Sequence, residues 1–193
     1  AATSPLRPEA KAAMEEGFAL WANPSSPHAE GRRARAALED ARERIKRALG
    51  WEGELIFTSG ASEALWIALN RAKATRRIVS AVEHDAVFRA APDAEVVPVF
   101  PTGLVETLTP LGQYPGDLDL SAMPDCNNAI VAVQQINSET GRIQSVNQIA
   151  EYVRARGGVL LSDCAQSAGK LELPDADMIV ISAHKFGGPV GVG

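Results

Sequence analysis

Two cysteines in 193 residues are too few for a disulfide framework, and neither Cys126 nor Cys164 sits in a CxxC pair or a Cys/His spacing that would hold a metal. A reducing, cytoplasmic setting is therefore expected, with no metal site. No apolar run approaches the roughly 20 residues needed to span a bilayer, so no membrane partner is expected. Ala1 to Glu9 lacks the charged-then-apolar pattern of a secretory signal. Basic charge is scarce as well: 19 Lys and Arg stand against 24 Asp and Glu, for a net charge of -5. That balance argues against nucleic acid, whose phosphates favour a concentrated basic face. The one basic stretch, Arg32 to Arg47, is interleaved with Glu39, Asp40 and Glu43 at spacings that pair them with Arg42, Arg44 and Arg47, and reads as a solvated helix face. The GxxxxGK[ST] and GxGxxG signatures of nucleotide-binding loops are missing too.

What remains is an alternation of short apolar runs with helical stretches. Ala34, Ala37, Leu38, Ala41, Ile45, Ala48 and Leu49 keep a 3.6-residue period, which predicts an amphipathic helix over 28–49 stopped by Gly50. A second helical run extends to about Lys73, and Val146, Ile149, Ala150 and Val153 mark a third that ends at Gly157-Gly158. Strands are expected at Leu55 to Phe57, Ile78 to Val82, Glu95 to Val99, Ala129 to Val133, Val159 to Leu161 and Met178 to Ile181. Fully apolar strands separated by helices imply βαβ units and a mostly parallel sheet sandwiched by helices, an α/β fold. Pro101 to Asp119, rich in proline and glycine, reads as a long surface loop.

Such sheets bind ligands at the carboxyl ends of their strands, so the residues that follow each run matter most. After Phe57 comes Ser59-Gly60-Ala61-Ser62, a small-residue turn whose amides at a helix N-terminus can cradle an anion; it is equally a plain helix cap with Glu63 in the first turn. After Val82 comes Glu83-His84, and an isolated histidine there can be structural. After Leu161 comes Asp163, a carboxylate closing a buried strand, which calls for a cation or several donors; Gln166 follows. After Ile181 comes Ser182-Ala183-His184-Lys185, where a partly desolvated amine could attack a carbonyl, although a snorkelling surface lysine fits the same position. Together these supply an anion cradle, a ring-sized side chain, a carboxylate and a nucleophilic amine on one rim. Pyridoxal phosphate (PLP) requires those four: a phosphate site, a stacking partner, a group that keeps its ring nitrogen protonated, and a lysine for its aldehyde.

The order and spacing of Ala2-Thr3-Ser4-Pro5, Asn23-Pro24-Ser25-Ser26-Pro27-His28, Thr58 to Glu63, Glu83-His84-Asp85-Ala86-Val87, Asn137-Ser138-Glu139-Thr140-Gly141, Asp163 to Lys170 and Ser182 to Lys185 resemble the cysteine desulfurases of the class V aminotransferase group. The resemblance runs through nearly all of the chain. It implies that residues 1–193 are the PLP-binding large domain of a fold-type I enzyme, stopping short of a C-terminal small domain. It implies that Lys185 carries the cofactor and moves protons at the substrate carbon, and that His84 stacks on the ring and serves as an acid–base. Asp163 is implied to pair with the ring nitrogen and Gln166 with the phenolic oxygen, while Ala61, Ser62, Ser182 and His184 hold the phosphate. Ala2 and Thr3, with Asn137 and Ser138, are implied to lie near the substrate.

The activity so implied converts L-cysteine to L-alanine, with the sulfur leaving as a protein persulfide for an acceptor protein, as in iron–sulfur cluster assembly, and a homodimer is implied. Another class V activity, an aminotransferase or a selenocysteine or cysteine lyase, would use the same cofactor machinery, and a non-catalytic homologue would keep the same fold. The chain departs from the pattern at Ser138, where a second asparagine is usual, and at Val190, a place often taken by lysine. Neither cysteine matches the position that carries the persulfide, and Cys164 is expected to be a core thiol.

Overall fold

The computed structural model describes residues 3–99 and 117–193; Ala2 and most of the predicted loop at Pro101 to Asp119 lie outside them. Five parallel strands form a single sheet: β1 (Arg76–Ser80), β2 (Glu95–Val97), β3 (Ala129–Gln134), β4 (Val159–Asp163) and β5 (Met178–Val180). Their order across the sheet is β2-β1-β3-β4-β5. Successive residues of each strand face opposite sides. Ile78, Val131, Val133 and Leu160 pack into one core cluster with Val146, Ile149 and Val153 of α5 (Val146–Arg154). Val79, Ile130, Ala132, Leu161 and Val180 pack into the other, with Leu65 and Leu69 of α3 (Ala61–Arg71) and Val87 of α4 (Asp85–Ala90). Burial on both faces is why β3 and β4 read as unbroken apolar runs.

The first long helix, α2 (Ala29–Leu49), matches its sequence pattern closely. His28 caps it, with Nδ1 accepting from the Gly31 amide at 3.1 Å, and Gly50 ends it in the left-handed conformation (φ 65°) that glycine adopts without strain. Glu39 meets Arg42 and Asp40 meets Arg44, but Glu43 meets Lys46 rather than the expected Arg47. Among the described residues no helix is long and apolar enough to cross a membrane.

Two expectations are corrected. Leu55 to Phe57 is not a strand of the sheet. Only Thr58 pairs, exchanging backbone bonds of 2.8 and 3.0 Å with Gly193, while the Leu55 carbonyl accepts from Arg42 Nε. β1 starts and stops two residues earlier than its apolar run suggests. Its opening arginines are held at the strand's start by Glu95 and Asp93, and the chain beyond Ser80 turns away from the sheet. Two helices went unread: α1 (Pro8–Phe18), which buries none of its residues, and α4, too short to show a period.

Candidate active site

At the carboxyl rim of the sheet lies a cleft of about 390 Å³, within the usual range for small-molecule sites. Its walls include Ala61, Ser62, His84, Asp163, Gln166, Ser182, His184 and Lys185, every residue expected to hold the cofactor, together with Thr3 and Ser138. Four separate strand ends thus converge on one space. A second cleft of about 400 Å³ opens beside Trp51, Ile56, Ile67 and Met178, but its lining is mostly apolar and it lacks a comparable set of lysine, histidine and carboxylate.

The anion cradle rests on Gly60. At φ 152° and ψ 170° it occupies a region open essentially to glycine alone, and it turns the chain into α3 without a side-chain cap. Glu63 does not cap the helix; its carboxylate swings back to accept from both the amide and the hydroxyl of Ser59, at 2.6 and 2.8 Å. Those bonds, backbone first, hold the Glu63 carboxyl below its ordinary range. No side chain caps the start of α3, Ala61 and Ser62 line the cleft, and the dipole at a helix N-terminus favours an anion. Across the cleft the Ser182 hydroxyl and His184 Nδ1 lie 2.9 Å apart.

His84 is the N-cap of α4, and its Nδ1 accepts from the Ala86 amide at 3.1 Å. That bond assigns the proton of the neutral imidazole to Nε2 and fixes the ring's direction. Asp163, the last residue of β4, is buried, with Oδ1 accepting from the Ala165 amide at 2.8 Å. Burial raises its carboxyl above the ordinary value, opposed by that backbone bond and by the nearby charges of His84 and Lys185. Lys185 ends a short 3-10 turn, Ala183–Lys185, which residues 4–7 strap in place. The Ser4 amide donates to the His184 carbonyl (2.8 Å), Ser4 Oγ to the Lys185 carbonyl (2.7 Å) and the Arg7 amide to the Gly187 carbonyl (2.9 Å). This strap is what brings Thr3 to the cleft.

Asn137 stands apart from the other expected residues. Its Nδ2 donates to the Val82 carbonyl, and its Oδ1 accepts from the amides of Glu139 and Thr140 and from the Thr140 hydroxyl. It organises the turn, and Ser138 rather than Asn137 lines the cleft. Sequence reasoning missed Glu83 and Gln134. Both are buried, and Gln134 lines the cleft, but isolated polar residues at strand ends carry no signal of their own. Burial pushes the Glu83 carboxyl up to about 8, the Asp163 charge adding to the rise against the opposing bonds from Ser80 and Gln134. The folded chain therefore holds a proton on Glu83 that the unfolded chain releases near pH 4.5, so this group's contribution to stability is lost as pH rises from about 4.5 to about 8. Glu83→Gln is expected to remove that slope, which is at most about 1.4 kcal/mol per pH unit. Denaturant titrations of both proteins at pH 6 and pH 9 should show the variant losing less stability.

The model of the aminotransferase class-V family matches residues 1–193. A cysteine desulfurase IscS from Dictyoglomus turgidum is 32% identical over 212 residues, taking in 100% of this chain and 51% of the relative. Among solved structures, a NifS-like protein from Rickettsia africae superposes with a TM-score of 0.84 at 25% identity, covering 99% of this chain and 54% of that one. SspA in complex with cysteine superposes with a TM-score of 0.79 at 26% identity, covering 100% of this chain and 58% of the other. The chain spans about half the length of the curated relatives it matches. With a parallel sheet, a lysine, a histidine and a carboxylate gathered at its rim, and a family match over its whole length, this chain belongs to the class-V aminotransferases.

Proposed function

We propose that the protein is a PLP-dependent cysteine desulfurase that releases L-alanine from L-cysteine and passes the sulfur on as a persulfide. The observation that carries the reading is the convergence of Lys185, His84 and Asp163 with the uncapped start of α3 on a single cleft. These residues fit PLP by the chemistry of their donors. The amides of Ala61 and Ser62, with Ser182 and His184, offer a phosphate site on one side. Asp163, held by Ala165, offers an acceptor for a protonated ring nitrogen at the floor. When bound, PLP supplies an electron sink for negative charge developed at the substrate α-carbon.

The chain's own groups then have separable tasks. Lys185 anchors the cofactor's aldehyde and moves a proton at the substrate carbon. His84 presents a ring face and an Nε2 proton, and Gln166 serves the phenolic oxygen. Thr3 and Ser138 border the space left for the amino acid, and the cysteine-bound structural relative supports L-cysteine as its occupant. In the sulfur step a protein thiolate attacks the substrate sulfur, the carbon–sulfur bond breaks, and alanine and a protein persulfide result. Burial pushes the Cys164 thiol up to about 11 and raises that of Cys126 as well, so neither is suited to that attack. The persulfide cysteine is assigned to the part of the relatives' length that this chain does not span, as is the small domain. A homodimer, a sulfur-acceptor protein and a cytoplasmic setting complete the proposal. The exposed Phe18 and Trp21, 65% and 89% accessible, support a further packing surface beside α1.

The test is turnover of the full chain with L-cysteine and a thiol reductant. Sulfide and alanine are expected in equal amounts. Transfer of the amino group to a keto acid without sulfide would make the protein an aminotransferase instead.

A further inference from the structure

We propose that Glu83 is a positioning residue that fixes where His84 stands, by tying the turn after β1 to the end of β3. The proposal rests on the PLP reading only for what His84 does, since the geometry is independent of it. Glu83 is 7% exposed, and its Oε1 accepts from Ser80 Oγ at 2.6 Å, within its own turn, and from the Gln134 amide at 2.8 Å, on β3. The preceding residue is held from the same side, because the Val82 carbonyl accepts from Gln134 Nε2 and from Asn137 Nδ2. The two residues before His84 are thus anchored to β3 and its following turn, and the residue two after it is bonded to the ring itself. Gln134 in turn lies in register with Asp163 on β4. One run of contacts therefore sets the ring's position relative to the carboxylate.

The remaining carboxyl oxygen of Glu83, Oε2, is buried without a hydrogen-bond partner. An ionised carboxylate there would leave a charged oxygen unsatisfied at high cost, whereas the neutral acid places its proton on Oε2 while Oε1 keeps both donors. The rise of the Glu83 carboxyl through burial and the Asp163 charge agrees with this. Burial raises the Asp163 carboxyl as well, but there the Ala165 amide and the nearby Lys185 oppose the rise. Two neighbouring carboxyls thus differ in surroundings, Asp163 lining the cleft with Lys185 and Glu83 buried behind it.

The test uses the full chain without cofactor, reading the His84 imidazole resonances by NMR, with His28 as internal control, and PLP binding by absorbance. Glu83→Ala is expected to move the His84 resonances, leave those of His28 in place and weaken PLP binding about tenfold, the loss of a buried hydrogen-bonded anchor. Glu83→Gln, which keeps an acceptor at Oε1 and a donor at Oε2, is expected to restore both readouts to within about threefold of wild type in affinity. Wild-type behaviour in Glu83→Ala, or a Glu83→Gln protein as impaired as the alanine variant, overturns the proposal. Should Glu83→Ala not fold, Ser80→Ala takes its place, and an unmoved His84 resonance there overturns it equally. A wild-type protein that binds no PLP would refute the proposed function, and the apo resonances would still decide the role of Glu83.

Discussion

Replacing Lys185 by alanine in the full chain is expected to reduce sulfide release from L-cysteine by at least about a thousandfold, the scale of losing a positioned nucleophile and proton-transfer group together. The expectation rests on place as well as residue type. Lys185 stands on a short turn held by Ser4, lines the cleft, and lies close enough to Asp163 for its charge to bear on that carboxyl. Borohydride reduction of the wild-type holoenzyme followed by peptide mapping should place the cofactor on Lys185. Two other lysines serve as controls. Lys170 bonds the Gln166 carbonyl at 2.9 Å outside the cleft, and Lys73 follows the end of α3. Cofactor recovered on either of them would refute the site assignment, and so would full activity in Lys185→Ala.

The second large effect belongs to Asp163. Asp163→Asn preserves the size of the side chain and an acceptor for the Ala165 amide but removes the negative charge, so it separates charge from shape. Breaking a buried ionic contact by removing one partner costs about 3–5 kcal/mol, roughly two to four orders of magnitude in rate if the contact persists in the transition state. Cofactor should remain bound through the phosphate cradle and Lys185, so kcat is expected to fall far more than PLP affinity. Pre-steady-state absorbance with L-cysteine would locate the loss at proton chemistry on the α-carbon. Turnover equal to wild type would mean that another group keeps the ring nitrogen charged.

The sheet was legible in the sequence because it is parallel and covered on both sides. β3 and β4 contain no polar residue until Gln134 and Ser162, so their runs admitted few other readings. The same rule blurred β1, whose first two positions are arginines satisfied at the sheet's opposite rim from the cleft. It also promoted Leu55 to Phe57, an apolar triplet that the structure leaves outside the sheet. α1 escaped notice for the opposite reason: with no buried face, it shows no apolar stripe to read. For the candidate site, the strand-end rule singled out Asp163, His84 and Lys185, and the structure places all three around one cleft. The division of labour between Asn137 and Ser138 was not legible, because both are small and polar and only the turn's hydrogen bonds tell them apart. Glu83 was equally hidden, since a carboxylate beside a histidine reads as solvated until its burial is known.

The strap from Ser4 to the Lys185 turn joins positions 181 residues apart. Chain entropy opposes such a closure only logarithmically, so it costs about 2 kcal/mol more than closing a loop one tenth as long. Much of that restriction is already imposed once β1 to β5 have aligned, because the sheet holds the intervening chain in a compact body. A few backbone bonds are then enough to fasten the segment at Ser4 to Arg7, and the turn bearing Lys185 is moored from the far side of the sequence rather than by its neighbours.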